Sequence, residues 1–276
     1  MKIAVLSGKG GAGKTFTAVN LISAAGRGTY IDCDVEEPNG RIFLKPDEIS
    51  EETVSVRIPV FDREKCTGCR KCVDFCRFNA LIYIKNTPVV FNEICHSCGG
   101  CGLVCPEKAV SYEERPVGKL ETGKHGSIKV VTGILNLGEA SGVPVIKKAL
   151  SRGEEGLTVI DCPPGSACSA MASIEDADYC IIVAEPTSFG FDNFRMVYEL
   201  AGILGKPCGV VINKMEEPYE PLEKFCREKK LSVLARIPYS LKSAAAIADG
   251  SIVSDKDEHM AAIFRDILQK AGGVTE

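Results

Sequence analysis

A short glycine-rich loop near the start of the chain constrains its fold more than any other feature. The loop follows the apolar run Lys2–Ser7 and precedes Thr15–Gly26, where apolar residues recur at helical spacing up to a terminal glycine. A second apolar run, Thr29–Asp34, comes next. Strand, loop, helix and strand in this order begin a parallel sheet with helices on its faces. The sequence therefore predicts an α/β fold with a mostly parallel sheet flanked by helices.

The loop has the sequence GKGGAGKT, which is the spacing of a phosphate-binding P-loop. Glycines let backbone amides turn towards phosphate oxygens, and the following helix adds the positive end of its dipole. Lys14 can supply a positive charge to the β- and γ-phosphates, and the Thr15 hydroxyl can ligate Mg²⁺. We therefore predict a nucleotide site in a single segment: Gly8, Gly10, Gly11, Ala12, Gly13, Lys14, Thr15 and Phe16.

Cysteine is the second informative feature, because the chain of 276 residues has 14 of them. Eight fall into two identical C-x2-C-x2-C-x3-C runs offset by 29 residues. Each run is followed by a similar tail, so the segment is an internal repeat. The two runs are Cys66, Cys69, Cys72 and Cys76, and Cys95, Cys98, Cys101 and Cys105.

This spacing is that of bacterial ferredoxins with two clusters, in which the fourth cysteine of each run ligates the other cluster. We therefore predict two [4Fe–4S] clusters, one held by Cys66, Cys69, Cys72 and Cys105, the other by Cys95, Cys98, Cys101 and Cys76. Zinc is the competing metal, but zinc ribbons pair two C-x2-C knuckles rather than triple runs. Cys105 precedes a proline, as in ferredoxins, whereas Cys76 precedes Arg77, so the second cluster is expected to be more exposed or to differ in potential.

Composition bears on whether the protein binds nucleic acid or membranes and on its cellular compartment. The chain is 45% hydrophobic and 25% charged, with a net charge of −4 and no basic run, so bulk charge does not predict nucleic-acid binding. The first apolar run is too short for a secretory signal or a membrane span. Metal-binding cysteines also suit a compartment that keeps thiols reduced. We expect a cytoplasmic protein that binds neither membranes nor nucleic acid.

The cysteine repeat interrupts the α/β pattern. Apolar runs typical of strands buried on both faces resume after it, beginning at about Gly126, Gly156, Tyr179, Cys208 and Ser232. We therefore predict a P-loop domain made of residues 1–59 and 116–276, with a small ferredoxin-like α+β domain inserted at residues 60–115. The last helical segment, residues 257–272, is amphipathic, and we expect it to pack against the domain.

Lys9 adds a second lysine to the loop, which then resembles the deviant Walker A motif of the MinD/ParA superfamily of P-loop ATPases. In that family the extra lysine reaches the partner's nucleotide across a dimer interface. The resemblance implies this role for Lys9 and an ATP-stabilised homodimer, or a heterodimer with a paralogue. The segments YIDCDVEEPNG and TVIDCPPG resemble the two switches of the family.

Further site residues come from the same resemblance. By the switch matches, Asp32 and Asp161 would lie in the Mg²⁺ shell, and Asp34 would orient the attacking water. Asn213, in GVVINKM, and Pro238, in RIPYS, would lie at the base. Lys9, Lys14 and Asp34 are thus the candidate catalytic residues, and Thr15, Asp32 and Asp161 the candidate Mg²⁺ ligands. A cysteine placed like Cys168 binds an interface cluster in the nitrogenase iron protein, but no second cysteine of the required kind is evident here.

The chain as a whole resembles MinD-superfamily ATPases that contain an inserted ferredoxin domain. We expect a slow, Mg²⁺-dependent and partner-stimulated ATPase whose dimer couples nucleotide state to electron transfer from two [4Fe–4S] clusters to a redox partner. The alternative is an iron–sulfur assembly or carrier ATPase that delivers clusters to client proteins. Complete ferredoxin ligand sets bind clusters tightly and favour electron transfer. A positioning switch with a redox sensor is a weaker third possibility, because the chain lacks a basic membrane-targeting tail.

Overall fold

A computed structural model describes residues 1–272 of the chain. Buried apolar runs form most strands of its large sheet, as the sequence predicts. The strands are β1 (Lys2–Leu6), β2 (Gly28–Asp32), β3 (Asp47–Phe61), β4 (Leu81–Ile84), β5 (Thr87–Val90), β6 (Val110–His125), β7 (Ile128–Leu135), β8 (Thr158–Asp161), β9 (Tyr179–Ala184), β10 (Cys208–Met215) and β11 (Ser232–Pro238).

The large sheet has the strand order β11-β10-β9-β1-β8-β2-β7-β6-β3, and β4 and β5 form a separate hairpin. Neighbouring strands are parallel from β11 to β7, whereas β6 is antiparallel to both β7 and β3. The predicted α/β fold with a mostly parallel sheet is confirmed. The carboxyl ends of its parallel strands therefore meet at one edge, where ligands bind in open α/β sheets.

Helices cover both faces of this sheet and bury one apolar cluster on each. One face packs against α5–α8, and the other against α1 and α9–α11. Within residues 1–272, no helix combines the length and apolar character needed to cross a bilayer. The helices are α1 (Lys14–Ala25), α2 (Gly40–Leu44), α3 (Lys71–Phe75), α4 (Gly100–Leu103), α5 (Val143–Leu150), α6 (Cys168–Ile174), α7 (Ser188–Ile203), α8 (Glu220–Glu228), α9 (Leu241–Ala248), α10 (Val253–Lys256) and α11 (Glu258–Lys270).

Strands β3 and β6 form a long two-stranded arm at one edge of the sheet. Their pairing runs from Asp47 opposite Lys124 to Phe61 opposite Val110. With 15 residues at about 3.4 Å each, β3 spans roughly 50 Å. The cysteine repeat connects the far ends of the two strands. The predicted boundaries at residues 59/60 and 115/116 therefore fall inside continuous strands.

The two halves of the repeat share backbone geometry as well as spacing. Arg70 and Gly99 have positive φ and precede the short helices α3 and α4, which follow the second cysteine of each run. Two tyrosines, also offset by 29 residues, brace the cysteine loops: Tyr83 donates to the Gly68 carbonyl and Tyr112 to the Gly99 carbonyl, each at 2.9 Å. The repeat is thus folded as two similar loops, each held by a phenol.

Candidate functional site

The glycine-rich loop lies between β1 and α1 and lines a cleft of about 1200 Å³. Gly13 has φ +100°, and a Cβ there would lie 2.0 Å from the Asn213 Nδ2 atom, so only glycine fits. Gly8 is the other tight position, because a Cβ there would lie 2.1 Å from the Asn193 carbonyl oxygen. Gly10, Gly11, Lys14, Thr15 and Phe16 line the cleft, whereas Ala12 is buried.

Lys14 is buried and paired with two carboxylates. Its Nζ lies 2.7 Å from Asp161 Oδ1 and 3.3 Å from Asp34 Oδ2. Burial, the largest single influence, lowers the pKa of Lys14, but the charges of Asp161 and Asp34 outweigh it and hold the pKa above its ordinary value. Bound phosphates would compete with these two carboxylates for the same ammonium group.

Asp32 and Asp161 end neighbouring parallel strands and are both fully buried. Asp32 accepts hydrogen bonds from the backbone amides of Gly40 and Asp34, and Asp161 accepts one from the Tyr30 hydroxyl at 2.9 Å. Burial, followed by the charge of Asp161, raises the pKa of Asp32. Clustered carboxylates beside the half-buried Thr15 are the hard oxygen donors that Mg²⁺ prefers, so the donor set fits that ion.

Lys9, the candidate dimer residue, forms an ion pair with Glu185 of its own chain, and its Nζ lies 5.3 Å from the centre of the Phe189 ring. Glu185 also pairs with Lys214 at 2.7 Å, and Lys214 donates to the Gly11 carbonyl at 2.6 Å. Burial raises the pKa of Glu185, but hydrogen bonds from Lys214 and Lys9 outweigh it and lower that pKa. Whether Lys9 acts across a dimer stays a prediction.

Sequence reasoning did not assign roles to Glu185 or Lys214. A signal was available for Glu185, since it directly follows the buried strand β9, much as Asp161 ends β8. Tyr30 was also missed, because nothing in a strand sequence tells which side chain its hydroxyl will reach. All three depend on contacts between strand ends that are distant in the sequence.

Asn213 and Pro238 lie where their strands end at the cleft. The buried amide of Asn213 donates to the Ala12 carbonyl at 2.9 Å. It therefore braces the glycine-rich loop directly. A contact of Asn213 or Pro238 with a nucleotide base stays a prediction.

The cysteine repeat brings the two predicted quartets around two separate cavities. Cys66, Cys69, Cys72 and Cys105 line one, together with Phe61 and Pro88. Cys76, Cys95, Cys98 and Cys101 line the other, together with Phe75, Phe78 and Tyr112. Each cavity thus takes three cysteines from one run and the fourth from the other.

Thiols that share a pocket with apolar side chains suit an iron–sulfur cluster. Desolvation raises the pKa of the Cys72 and Cys101 thiols. Among residues 1–272, no three His, Cys, Asp or Glu side chains converge as ligands of a single metal ion would. Metal analysis is therefore what separates the cluster from the zinc interpretation.

Cys168, the remaining candidate, begins α6 and is exposed. Its neighbours Ala167 and Ser169 line the nucleotide cleft. Cys168 is therefore exposed beside residues of the nucleotide cleft and lies outside both cysteine cavities.

Comparisons with known proteins agree with this geometry. Residues 3–253 match the CobQ/CobB/MinD/ParA nucleotide binding domain, and the chain belongs to that family. It is similar over 98% of its length to 96% of an uncharacterized protein of Methanocaldococcus jannaschii, at 26% identity. The fold resembles the septum site-determining protein MinD of Pyrococcus horikoshii in complex with Mg-ADP, with a TM-score of 0.60, 17% identity and coverage of 100% of this chain and 98% of that one.

A separate comparison matches a short part of the chain to a ferredoxin. An uncharacterized ferredoxin of Methanocaldococcus jannaschii is 38% identical over 55 residues, which is 18% of this chain and 71% of the ferredoxin. The chain thus combines a nucleotide-binding domain with a stretch similar to a ferredoxin.

Proposed function

We propose that the protein is a Mg²⁺-dependent ATPase whose nucleotide state controls electron transfer through two [4Fe–4S] clusters to a partner protein. The observation that carries the proposal is the position of β7 in the sheet. Strand β7 pairs on one side with β2, which ends at Asp32, and on the other side with β6 of the cysteine arm. The nucleotide site and the arm that carries the cysteine quartets therefore border the same strand.

The residues of the cleft have separable roles in this proposal. The amides of the glycine-rich loop bind the phosphates, and Lys14 leaves Asp34 to neutralise them. Asp34, once free of Lys14, accepts a hydrogen bond from the attacking water and orients it. Thr15, Asp32 and Asp161 would hold Mg²⁺, which offsets phosphate charge.

Two quartets would hold the clusters: Cys66, Cys69, Cys72 and Cys105, and Cys95, Cys98, Cys101 and Cys76. When bound, a [4Fe–4S] cluster supplies one-electron chemistry at each quartet. Tyr83 and Tyr112 keep the cysteine loops in place, and Phe75 and Phe78 limit water at the second cavity. Lys9 reaching a second subunit would make the ATP-bound form a dimer.

The experiment is anaerobic purification, analysis of iron, sulfide and zinc, and a redox titration followed by electron paramagnetic resonance with and without MgATP. We expect about eight irons per chain, the sum of two [4Fe–4S] clusters, and a nucleotide-dependent shift in potential or lineshape. Lys14→Ala should abolish the shift, and circular dichroism checks that it folds. Thr15→Ala is the second variant should Lys14→Ala unfold. Clusters indifferent to MgATP would refute nucleotide control of electron transfer.

Delivery of clusters to client proteins is the alternative, and one observation favours it. Cys69 and Cys98, one in each quartet, are exposed, and solvent-accessible ligands make a cluster easier to release. The test incubates the loaded protein with an apo-ferredoxin and follows transfer of iron. ATP-dependent transfer faster than loss to a chelator would support delivery over electron transfer.

A further inference from the structure

Arg115 and Glu139 join the cysteine arm to the wall of the nucleotide cleft. Arg115 lies on β6, and its two terminal nitrogens bind the two carboxylate oxygens of Glu139 at 2.6 and 2.7 Å. The side chains are only 20% and 11% exposed. A bidentate, charge-assisted and largely shielded pair of this kind fixes both distance and orientation. It is therefore a stiff link rather than a loose surface contact.

The Glu139 end of the link lies in the nucleotide cleft. Glu139 belongs to the loop after β7, whose residues 136–139 line the cleft beside Asp34 and Val35. The backbone amide of Leu135, the last residue of β7, donates to the Val35 carbonyl at 2.8 Å. Val35 directly follows Asp34, the partner of Lys14. A movement of this segment when phosphates draw Lys14 away is thus passed to the loop that holds Glu139.

The Arg115 end lies at the second cysteine quartet. One terminal nitrogen of Arg115 donates to the Asn92 carbonyl at 3.2 Å, and the same carbonyl accepts from the Cys95 amide at 3.3 Å. The hydrogen bond with Glu139 is the main cause that raises the pKa of Arg115, burial opposes it, and the charges of Glu93 and Cys95 raise it further. The guanidinium is therefore linked to the Cys95 amide through the shared Asn92 carbonyl.

The contact also has polar atoms available for a second arrangement. Within the described chain, Arg115 Nε and Asn92 Oδ1 are buried without a hydrogen-bond partner. Buried unpaired polar groups are costly and uncommon. The pair is thus held firmly through its two bonds to Glu139, while Arg115 Nε and Asn92 Oδ1 are available to pair with each other when Glu139 moves.

We propose that the Arg115–Glu139 pair is the positioning element that transmits nucleotide state to the second cysteine quartet. This inference rests on the proposed function. It adds which contact transmits the nucleotide state and which of the two quartets responds to it. The two quartets share one backbone pattern, because the Cys66 amide donates to the Asp62 carbonyl at 3.0 Å and the Cys95 amide to the Phe91 carbonyl at 3.1 Å. The second quartet differs in its arginine contact, because Arg115 donates to the Asn92 carbonyl that the Cys95 amide also reaches. Nucleotide therefore changes the environment of Cys95 and leaves that of Cys66 largely as it was.

The test compares Arg115→Lys, Glu139→Gln and the double variant with wild type. Arg115→Lys keeps the charge but loses the bidentate geometry. Arg236 and Glu223 form a second bidentate pair, at 2.7 and 2.8 Å, between β11 and α8, so Arg236→Lys and Glu223→Gln are matched controls. A Cys98→Ser variant marks which paramagnetic signal belongs to the second quartet.

Two measurements are made on each protein under anaerobic conditions: the redox titration with and without a non-hydrolysable ATP analogue and Mg²⁺, and hydrogen–deuterium exchange over residues 91–98. We expect wild type to show a nucleotide-dependent shift of the second signal and altered exchange at Cys95. Both changes should be lost in Arg115→Lys and in Glu139→Gln, be no further reduced in the double variant, and persist in the controls. Nucleotide affinity should stay close to that of wild type in Arg115→Lys, since Arg115 does not line the cleft.

Failure of the link and failure of the proposed function give different results. If both variants keep the wild-type shift and exchange change, the inference is overturned while nucleotide control stands. If wild type shows no redox shift at either cluster, the proposed function fails. In that case, unchanged exchange at residues 91–98 overturns the link as well, whereas altered exchange that the variants abolish supports it.

Discussion

Lys9 and Glu185 form an ion pair within one chain, and the same carboxylate holds Lys214. The lysine that the family resemblance assigns to a second subunit is thus restrained by its own chain. The Glu185 side chain is only 12% exposed, whereas Lys9 and Lys214 are 26% and 45% exposed, so the carboxylate is shielded and both ammonium groups are partly open to solvent. Dimer formation would require Lys9 to leave this carboxylate.

Glu185→Gln should therefore promote the ATP-bound dimer. A homodimer releases two Lys9–Glu185 pairs, so a loss of roughly 1 kcal/mol in each subunit corresponds to about a thirty-fold lower dimer dissociation constant. Analytical ultracentrifugation with a non-hydrolysable ATP analogue and Mg²⁺ measures it. Lys214→Gln is the control, because it removes the ion pair between Lys214 and Glu185 and leaves the one between Lys9 and Glu185 in place. Unchanged or weaker dimerisation of Glu185→Gln would contradict restraint by Glu185.

The crossed cysteine quartets predict which pairs of substitutions act on the same cluster. Cys66→Ser with Cys105→Ser should impair one cluster and leave about four irons per chain, because both thiols line one cavity. Cys95→Ser with Cys105→Ser should impair both clusters, although these residues belong to one sequence run. Iron and sulfide analysis with spin quantitation distinguishes the two outcomes.

Cys168→Ser serves as the control for these double variants, since Cys168 lies outside both cavities and should leave iron content unchanged. The reverse pattern, in which Cys95→Ser with Cys105→Ser spares one cluster, would show that each run ligates its own cluster.

Much of this architecture could be predicted from the sequence, because short local sequence patterns identify it. The buried apolar runs identify the parallel strands, and the glycine-rich loop identifies the cleft between β1 and α1. The cysteine spacing also gives the two quartets that the cavities bring together. Each of these features needs only neighbouring residues to be recognised.

The arm and the contacts around it could not be predicted in this way. The first half of β3 is exposed and polar. Its second half, from Val54 to Val60, shows the alternation of a half-buried strand, but that pattern does not tell which strand it pairs with. Its stability comes from pairing with β6, which lies across the cysteine repeat. Likewise, the partners of Glu185 and Arg115 are set by which strand ends and loops the topology brings together.

Tyr30→Phe tests the support that the Tyr30 hydroxyl gives to Asp161. The hydroxyl donates to a fully buried carboxylate, and a buried hydrogen bond to a charged group is worth about 1.5–3 kcal/mol. Urea denaturation should show a loss of this size, and Mg²⁺-dependent nucleotide binding should weaken because Asp161 is less well oriented. Tyr198→Phe, in the aromatic cluster on α7, is the control and should change stability by less than about 0.5 kcal/mol. Equal losses of stability in Tyr30→Phe and Tyr198→Phe would show that the hydrogen bond from Tyr30 to Asp161 adds nothing to stability.

The raised pKa of Asp32 predicts a pH dependence of stability. Burial, followed by the charge of Asp161, raises this pKa in the folded protein, whereas an unfolded Asp titrates near about 3.9. The folded state therefore keeps the Asp32 proton at pH values where the unfolded chain has lost it. Asp32 thus contributes less to stability as pH rises from about 4 through its raised pKa, by about 1.4 kcal/mol per unit of upward shift.

Comparison with Asp32→Asn isolates this contribution. The variant loses one acceptor for the Gly40 or Asp34 amide, but that loss is constant with pH. The free energy of unfolding of wild type minus that of the variant should therefore decrease as pH rises from 4 to 8 when measured without Mg²⁺ and nucleotide. Saturating MgADP should remove the decrease, because Mg²⁺ binds the deprotonated carboxylate. A difference that stays level with pH would show that Asp32 is ionised in the folded protein throughout this range.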